Sequence, residues 1–248
     1  MSFRLDGMDE AAVASFCVVP RVVLLDEVSS TMDEAHCLAE SGAPNGTVVI
    51  ANRQLAGRGR FGRRWTSEPG LGLWMTVLRR DVEVTGLDVL SLRIGLRLAA
   101  VLDPFSDERV TVKWPNDLLV RRQKLAGILV EARWRAAAIE WAAIGIGVNL
   151  IAPADQPGAI GLRTGTRRID LVRAIIGQVA EACMVPGEFA DNELMAFSSR
   201  DAAAGELLSE PGRGRAAGVT SNGALIVETP AGRELFRRGS LVFASEAG

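Results

Sequence analysis

Apolar residues recur along this chain with the periods of both regular structures. Between residues 87 and 102, Leu87, Leu90, Ile94, Leu98 and Val101 fall on one side of a 3.6-residue repeat, which predicts a helix laying one face on a sheet. Residues 171–182 carry the same spacing and predict a second amphipathic helix. Short apolar runs predict buried strands at residues 22–25, 47–51, 72–78, 110–114, 128–131 and 139–145. After the first of these, Ser29-Ser30-Thr31 opens another helix. Ser30 with Asp33, or Thr31 with Glu34, has the spacing of a capping pair, and an acid suits the positive end of a helix. Gly42-Ala43-Pro44-Asn45-Gly46 then turns the chain into the next strand. Helices and strands mix without strict alternation, so the expected class is α+β, a mixed sheet flanked by helices, rather than a regular doubly wound sheet.

The pattern changes near residues 201–215, where Ala202-Ala203-Ala204-Gly205 and Pro211-Gly212-Arg213-Gly214 interrupt it. Beyond them come short strand-like runs at 218–219, 224–227 and 240–243, punctuated by Ser221-Asn222-Gly223 and Pro230-Ala231-Gly232. The expected organisation is a large domain over residues 1–203 and a small β-barrel over 204–248, too small to fold confidently alone.

Composition narrows the function. Hydrophobic residues are 48% and the formal net charge is −2, so a protein that coats nucleic acid or a membrane surface is not indicated. No apolar run is long enough for a signal peptide or a bilayer span. Cys17, Cys37 and Cys183 are odd in number and far apart; they define neither a zinc site nor a disulfide framework, and a reducing cytoplasm is expected. The single histidine, His36, leaves no room for a multi-histidine metal centre.

Positive charge is instead concentrated locally. Arg53-Gln54-Leu55-Ala56-Gly57-Arg58-Gly59-Arg60-Phe61-Gly62-Arg63-Arg64 holds five arginines and no acid, and Trp65 follows. Arginines between glycines allow guanidinium groups and bare backbone N–H groups to converge on one anion. Gly57-x-Gly59-x-x-Gly62 matches the dinucleotide fingerprint literally, but Arg63-Arg64-Trp65-Thr66-Ser67-Glu68-Pro69-Gly70 reads as loop where that motif needs a helix. No Gly-Lys-Ser/Thr follows a glycine loop, which removes the P-loop class. A second dense segment, Lys113-Trp114-Pro115-Asn116-Asp117, is followed by Lys124-Leu125-Ala126-Gly127. Together these indicate phosphate chemistry.

In this order, Gly57-Arg58-Gly59-Arg60-Phe61-Gly62-Arg63-Arg64-Trp65, Lys113-Trp114-Pro115-Asn116-Asp117, Lys124-Leu125-Ala126-Gly127-Ile128-Leu129-Val130-Glu131 and Gly145-Ile146-Gly147-Val148-Asn149 resemble the biotin protein ligases. The resemblance runs from about residue 24 to 149, and more weakly to the C-terminus, where the short strands look like that family's SH3-like β-barrel. It implies activation of biotin with ATP and Mg²⁺ to biotinoyl-5′-AMP, then transfer to one lysine of an acceptor such as a biotin carboxyl carrier protein. It further implies catalytic roles for Lys124, Lys113 and Arg60. Biotin contacts would come from Ser30, Thr31, Gln54, Gly57, Arg58, Gly59, Arg60, Lys124 and Gly127. Nucleotide contacts would come from Arg58, Arg60, Trp65, Lys113, Asn116 and Asn149, with Asp117 as a metal ligand. The family usually carries Asn after the Ser-Thr pair, where this chain has Met32. About twenty residues precede the first strand, too few for a helix-turn-helix, so the ligase-only type without DNA binding is expected, as a monomer or homodimer. A lipoate or octanoate ligase and a non-catalytic binding module are the alternatives.

Overall fold

The computed structural model describes residues 3–246. Within them the elements run α1 (Glu10–Cys17), β1 (Val22–Val28), α2 (Thr31–Glu40), β2 (Val48–Gln54), β3 (Gly72–Arg79), α3 (Leu87–Leu102), β4 (Thr111–Lys113), β5 (Asp117–Val120), β6 (Gln123–Arg135), β7 (Ala138–Asn149), α4 (Arg168–Cys183), α5 (Asp191–Ser198), β8 (Leu207–Glu210), β9 (Gly214–Val219), β10 (Leu225–Thr229), β11 (Gly232–Phe236) and β12 (Val242–Phe243). The first seven strands form one mixed sheet, ordered β1-β2-β3-β7-β6-β5-β4. β1 and β2 are parallel and the other pairs antiparallel, so the α+β class holds. Helices α1, α3 and α4 pack on one face with Ile50, Met75, Ile128 and Ile146, which alternate along their strands. On the other face α2 lies alone, with Met32 and Ala35 against Val49, Leu129 and Ala143. That second face is only partly covered, and the remainder of it is the floor of the site.

All six strands and all three helices expected from the apolar pattern are present, with α3 ending where its periodicity ends. α1, β5, α5, β8 and β11 were not expected. Ser30 is the N-cap of α2, its Oγ accepting from the Met32 N–H at 3.3 Å. Asp33 turns away from the cap to pair with Arg58, 2.9 Å away.

The remaining strands form a second, five-stranded sheet, β11-β10-β9-β8-β12, consistent with the small SH3-like β unit expected. Its ends, β11 and the two-residue β12, are not paired with each other among the described residues. β12 is too short to continue a ladder around, and Gly239 (φ +140°) bends the chain ahead of it. Leu208, Ala216, Leu225, Val227, Leu241 and Phe243 join the same hydrophobic core as α3 and α4, and the buried Trp114 indole donates to Gly223 O at 2.9 Å. Among the described residues no helix is long and apolar enough to cross a membrane.

Candidate active site

The floor consists of bare backbone. Gly127 on β6 lies directly opposite Gly147 on β7, and Gly145 opposite Leu129, so three glycines expose one face of the sheet. A Cβ on Gly147 would lie 2.6 Å from Trp65 Cε2, and one on Gly127 2.9 Å from Trp65 Cζ3. The indole of Trp65 lies flat on this glycine floor, edge-on to the buried Trp74. Its Nε1 has no hydrogen-bond partner among the described residues. Above the floor is a cavity of about 170 Å³.

One end of the cavity is polar and neutral. Gln54, at the end of β2, accepts from both the N–H and the hydroxyl of Thr31 (2.9 and 3.0 Å) and donates to Ser67 Oγ at 2.8 Å. Thr76 Oγ1 donates to Thr31 Oγ1 at 2.8 Å. Ser30, Thr31, Ser67 and Thr76 are all buried. These bonds fix the orientation of the Gln54 amide and leave its second N–H and the Ser30 hydroxyl for a ligand. Met32 closes this end, its sulfur 2.7 Å from where a Gly145 Cβ would stand.

The other end is cationic, and its cations differ in how far they are neutralised. Lys124 Nζ is 2.8 Å from Asp117 Oδ1 and sits over the Trp65 ring at 5.0 Å. Arg58 is paired with both Asp33 and Glu131. Arg60 and Lys113 have no carboxylate within 4.0 Å among the described residues. Arg60 makes only long contacts, to Asn116 Oδ1 at 3.5 Å and Gly239 O at 3.4 Å, and stacks on Phe61. Burial pushes its guanidinium pKa down, with Asp117 opposing and Arg63 assisting. Burial likewise lowers the Lys113 ammonium, against weaker support from Glu246 and Asp117. A half-buried cation without a counter-ion is costly unless an anion completes it, so this end is built for a negative ligand.

Of the residues singled out from sequence, Ser30, Thr31, Gln54, Arg58, Gly59, Arg60, Trp65, Lys113, Asn116, Asp117, Lys124 and Gly127 all line the cavity. Gly57 and Asn149 do not. Gly57 is packed below, where a Cβ would meet Trp65 O at 2.5 Å. Asn149 is buried and donates to Lys124 O at 3.1 Å, bracing the strand that carries the lysine. Asn116 has a similar bracing role: its backbone and side chain bond both polar groups of Ile128 at 3.0 and 2.8 Å. Sequence reasoning missed the Gly239-Ser240-Leu241 wall, contributed by the second sheet. Ser240 Oγ accepts from Arg63 at 3.0 Å, tying the arginine loop to that sheet.

Residues 24–149, which hold every side chain of the polar and cationic ends, match the model of the biotin/lipoate A/B protein ligase family. The chain belongs to that family. A biotin--[acetyl-CoA-carboxylase] ligase of Paracoccus denitrificans is 31% identical over 246 residues, covering 89% of this chain and 99% of that one. The bifunctional ligase/repressor BirA of Bacillus spizizenii is 36% identical over 136 residues, 54% of this chain but 42% of its own length. Thus the chain spans about two fifths of that larger relative. In three dimensions a biotin protein ligase from Aquifex aeolicus, solved with biotin and ATP, superposes with a TM-score of 0.71 at 24% identity, covering 90% of this chain and 97% of that one. The ligase-family fold therefore extends through the second sheet, beyond the matched segment.

Proposed function

We propose that this member of the ligase family activates biotin with ATP and transfers the biotinoyl group to a lysine of an acceptor protein such as a biotin carboxyl carrier protein. The observation that carries this reading is the two-ended cavity: an oriented set of neutral hydrogen-bonding groups faces two uncompensated cations. Biotin has that polarity, a polar ureido head and a carboxylate tail. In the first step a carboxylate oxygen attacks the α-phosphorus, an acyl–O–P bond forms, and pyrophosphate leaves. Two anions must approach, so electrostatic stabilisation and positioning dominate the barrier. Arg60 and Lys113 supply unneutralised charge there, and Lys124, held over Trp65, reaches the same end. In the second step the neutral acceptor amine attacks the acyl carbon, AMP leaves, and the nitrogen loses a proton. No side-chain nucleophile is required.

Ser30, Thr31 and Gln54 would hold the ureido head, and Asn116 would support the nucleotide, with Asn149 acting from beneath through the Lys124 backbone. Asp117 is the only carboxylate lining the cavity among the described residues. Mg²⁺ takes one or two protein carboxylates plus substrate phosphates, so Asp117 fits as its ligand. The ion would offset phosphate charge. We further assign residues 1–203 to the catalytic domain and 204–248 to the small β domain, and place the protein in the cytoplasm, in keeping with three free cysteines.

ATP–pyrophosphate exchange tests the reading, with biotin, lipoate and octanoate supplied separately. Exchange stimulated by biotin alone is expected. Stimulation by lipoate or octanoate would move the chain to the other branch of its family, and silence with all three in folded protein would reject ligase activity.

A further inference from the structure

Five side chains form a hydrogen-bonded and ion-paired series that runs from beyond the cavity to its wall and that the chemistry above does not use. The Trp141 indole on β7 donates to His36 Nδ1 at 2.9 Å. A ring nitrogen that accepts carries no proton, so in the neutral ring the proton is on Nε2. Nε2 lies 3.1 Å from Glu131 Oε2 on β6 and donates to it. The same oxygen accepts from Arg58 Nη2 at 3.2 Å, and that nitrogen is 2.9 Å from Asp33 Oδ1. Glu131 is held below the ordinary carboxylate range, first by the His36 bond; burial opposes and Arg58 adds to the lowering. His36 is absent from the cavity lining, whereas Arg58 is part of it.

The loop that carries Arg58 is tied partly to itself, Arg64 also donating to Leu55 O at 2.8 Å. Gly59 N–H bonds Arg63 O and Trp65 N–H bonds Gly57 O within the loop itself. Arg63 and Arg60 fasten its far limb to Ser240 and Gly239. At its near limb the Leu55 and Ala56 N–H groups bond the Val28 and Ser29 carbonyls at 2.9 and 2.8 Å, and beyond Gly57 the Arg58 side chain ties the loop to Glu131 on β6 and Asp33 on α2. A carboxylate on a flexible stem has two oxygens and several rotamers, and the donor from His36 selects one that presents Oε2 to Arg58.

We propose that His36 is a positioning residue: acting through Glu131, it fixes Arg58 and so the limb of the arginine–glycine loop that walls the cavity. Its relevance to catalysis rests on the ligase reading; the fixing of the loop does not.

The ligand-free chain provides the test, because trypsin cuts after Arg58, Arg60, Arg63 and Arg64. His36→Ala should speed cleavage in this loop roughly fivefold, the scale of one charge-assisted hydrogen bond discounted for partial exposure. His36→Gln, which keeps an N–H for Glu131, should return the rate close to that of the parent. In a Glu131→Ala background His36→Ala should add nothing. Equal cleavage of parent and His36→Ala, failure of Gln to rescue, or additive effects would each overturn the proposal. Should His36→Ala fail to fold, Trp141→Phe removes the N–H that sets the tautomer along with part of a buried ring; its Tm reports the packing loss, it should give a smaller acceleration, and none would overturn the proposal. Loss of biotinoyl-5′-AMP from His36→Ala should quicken by a similar factor. Faster cleavage in a protein that shows no biotin-dependent exchange would keep this inference and discard the ligase reading.

Discussion

Lys113→Met separates the catalytic contribution of this side chain from its cost to the fold. Burial holds the Lys113 ammonium below its ordinary 10.5, and no carboxylate lies within ion-pair distance among the described residues. For a base with a lowered folded pKa, the unfolded chain binds more protons between that pKa and 10.5. Stability therefore rises with pH through that window, and at neutral pH the full charge subtracts from stability. Methionine keeps the length of the stem and removes the charge. What it gives up is the ammonium over the Phe243 ring at 5.1 Å, about 0.5–1 kcal/mol, which a thioether over the same ring replaces in part with about 0.3–1.5 kcal/mol. Relief of the buried charge acts in the stabilising direction. The net change should stay within about 1 kcal/mol, or roughly 2–4 °C in Tm for a chain of this size, and not downward. Catalysis should respond far more strongly. Removing a group aimed at developing negative charge costs about 2.7–4 kcal/mol, roughly 10²–10³ in rate. Thermal unfolding followed by circular dichroism and ATP–pyrophosphate exchange, on one preparation, measure both. A fall in Tm of more than about 4 °C, or exchange within about threefold of the parent, would refute the view that Lys113 is an anion-binding group held at the expense of the fold.

Three further substitutions probe other parts of the molecule. Arg93, fully buried on α3, bonds both Glu193 oxygens (2.7 and 3.0 Å) and the carbonyls of Val185, Gly187 and Glu188; Arg93→Met should cost roughly 3–5 kcal/mol and lower Tm by about 6–20 °C. Burial would raise the Glu193 pKa, but the bonds from Arg93 and the Ala190 N–H prevail and lower it. That stability is present above the ordinary 4.5 and lost as pH falls through the lower folded value, so Tm below about pH 5 should fall less steeply in the variant. Gly147→Ala puts a methyl 2.6 Å from Trp65 Cε2 and must push the indole off the floor; biotin binding should weaken about tenfold or more, near 1.4 kcal/mol, and an unchanged Kd by calorimetry would count against the floor as ligand contact. Arg60→Gly removes a guanidinium along with its ties to Phe61 and Gly239. Biotinoyl-5′-AMP should then dissociate roughly tenfold faster in a rapid-dilution assay, and an equal rate would argue against Arg60 as an adenylate clamp.

Local pattern made most of the first sheet legible. The Leu87–Leu102 helix shows a clean apolar period and is found with those bounds. α1 and α5 are eight residues each, too short for a periodicity to register. β5 was hidden because Asn116-Asp117 has turn chemistry, although Asp117 starts the strand. Arg93 interrupts the apolar face of α3 with a charge, and nothing local announces that Glu193, a hundred residues on, will satisfy it. The cavity-lining cations were legible because they are clustered with glycines. Which of them are neutralised was not, since Asp33, Glu131 and Asp117 are set against them by strand register and helix phase. Asn149 lies within a matching motif, yet its side chain faces the Lys124 carbonyl. The Gly239–Leu241 wall has no local signature; it meets Arg60 across 179 positions of sequence.

That wall bears on how the protein is made. A ribosome delivers residues 53–64 long before residues 239–241, so the arginine loop spends most of translation without the backbone and hydroxyl that later fasten it. The seven strands of the first sheet are complete by Asn149, but the chamber they floor stays open on one side until the second sheet has emerged. The nascent chain therefore holds all seven strands before the residues that close the site have emerged, and over that interval the cations of the arginine loop are without their partners on the second sheet.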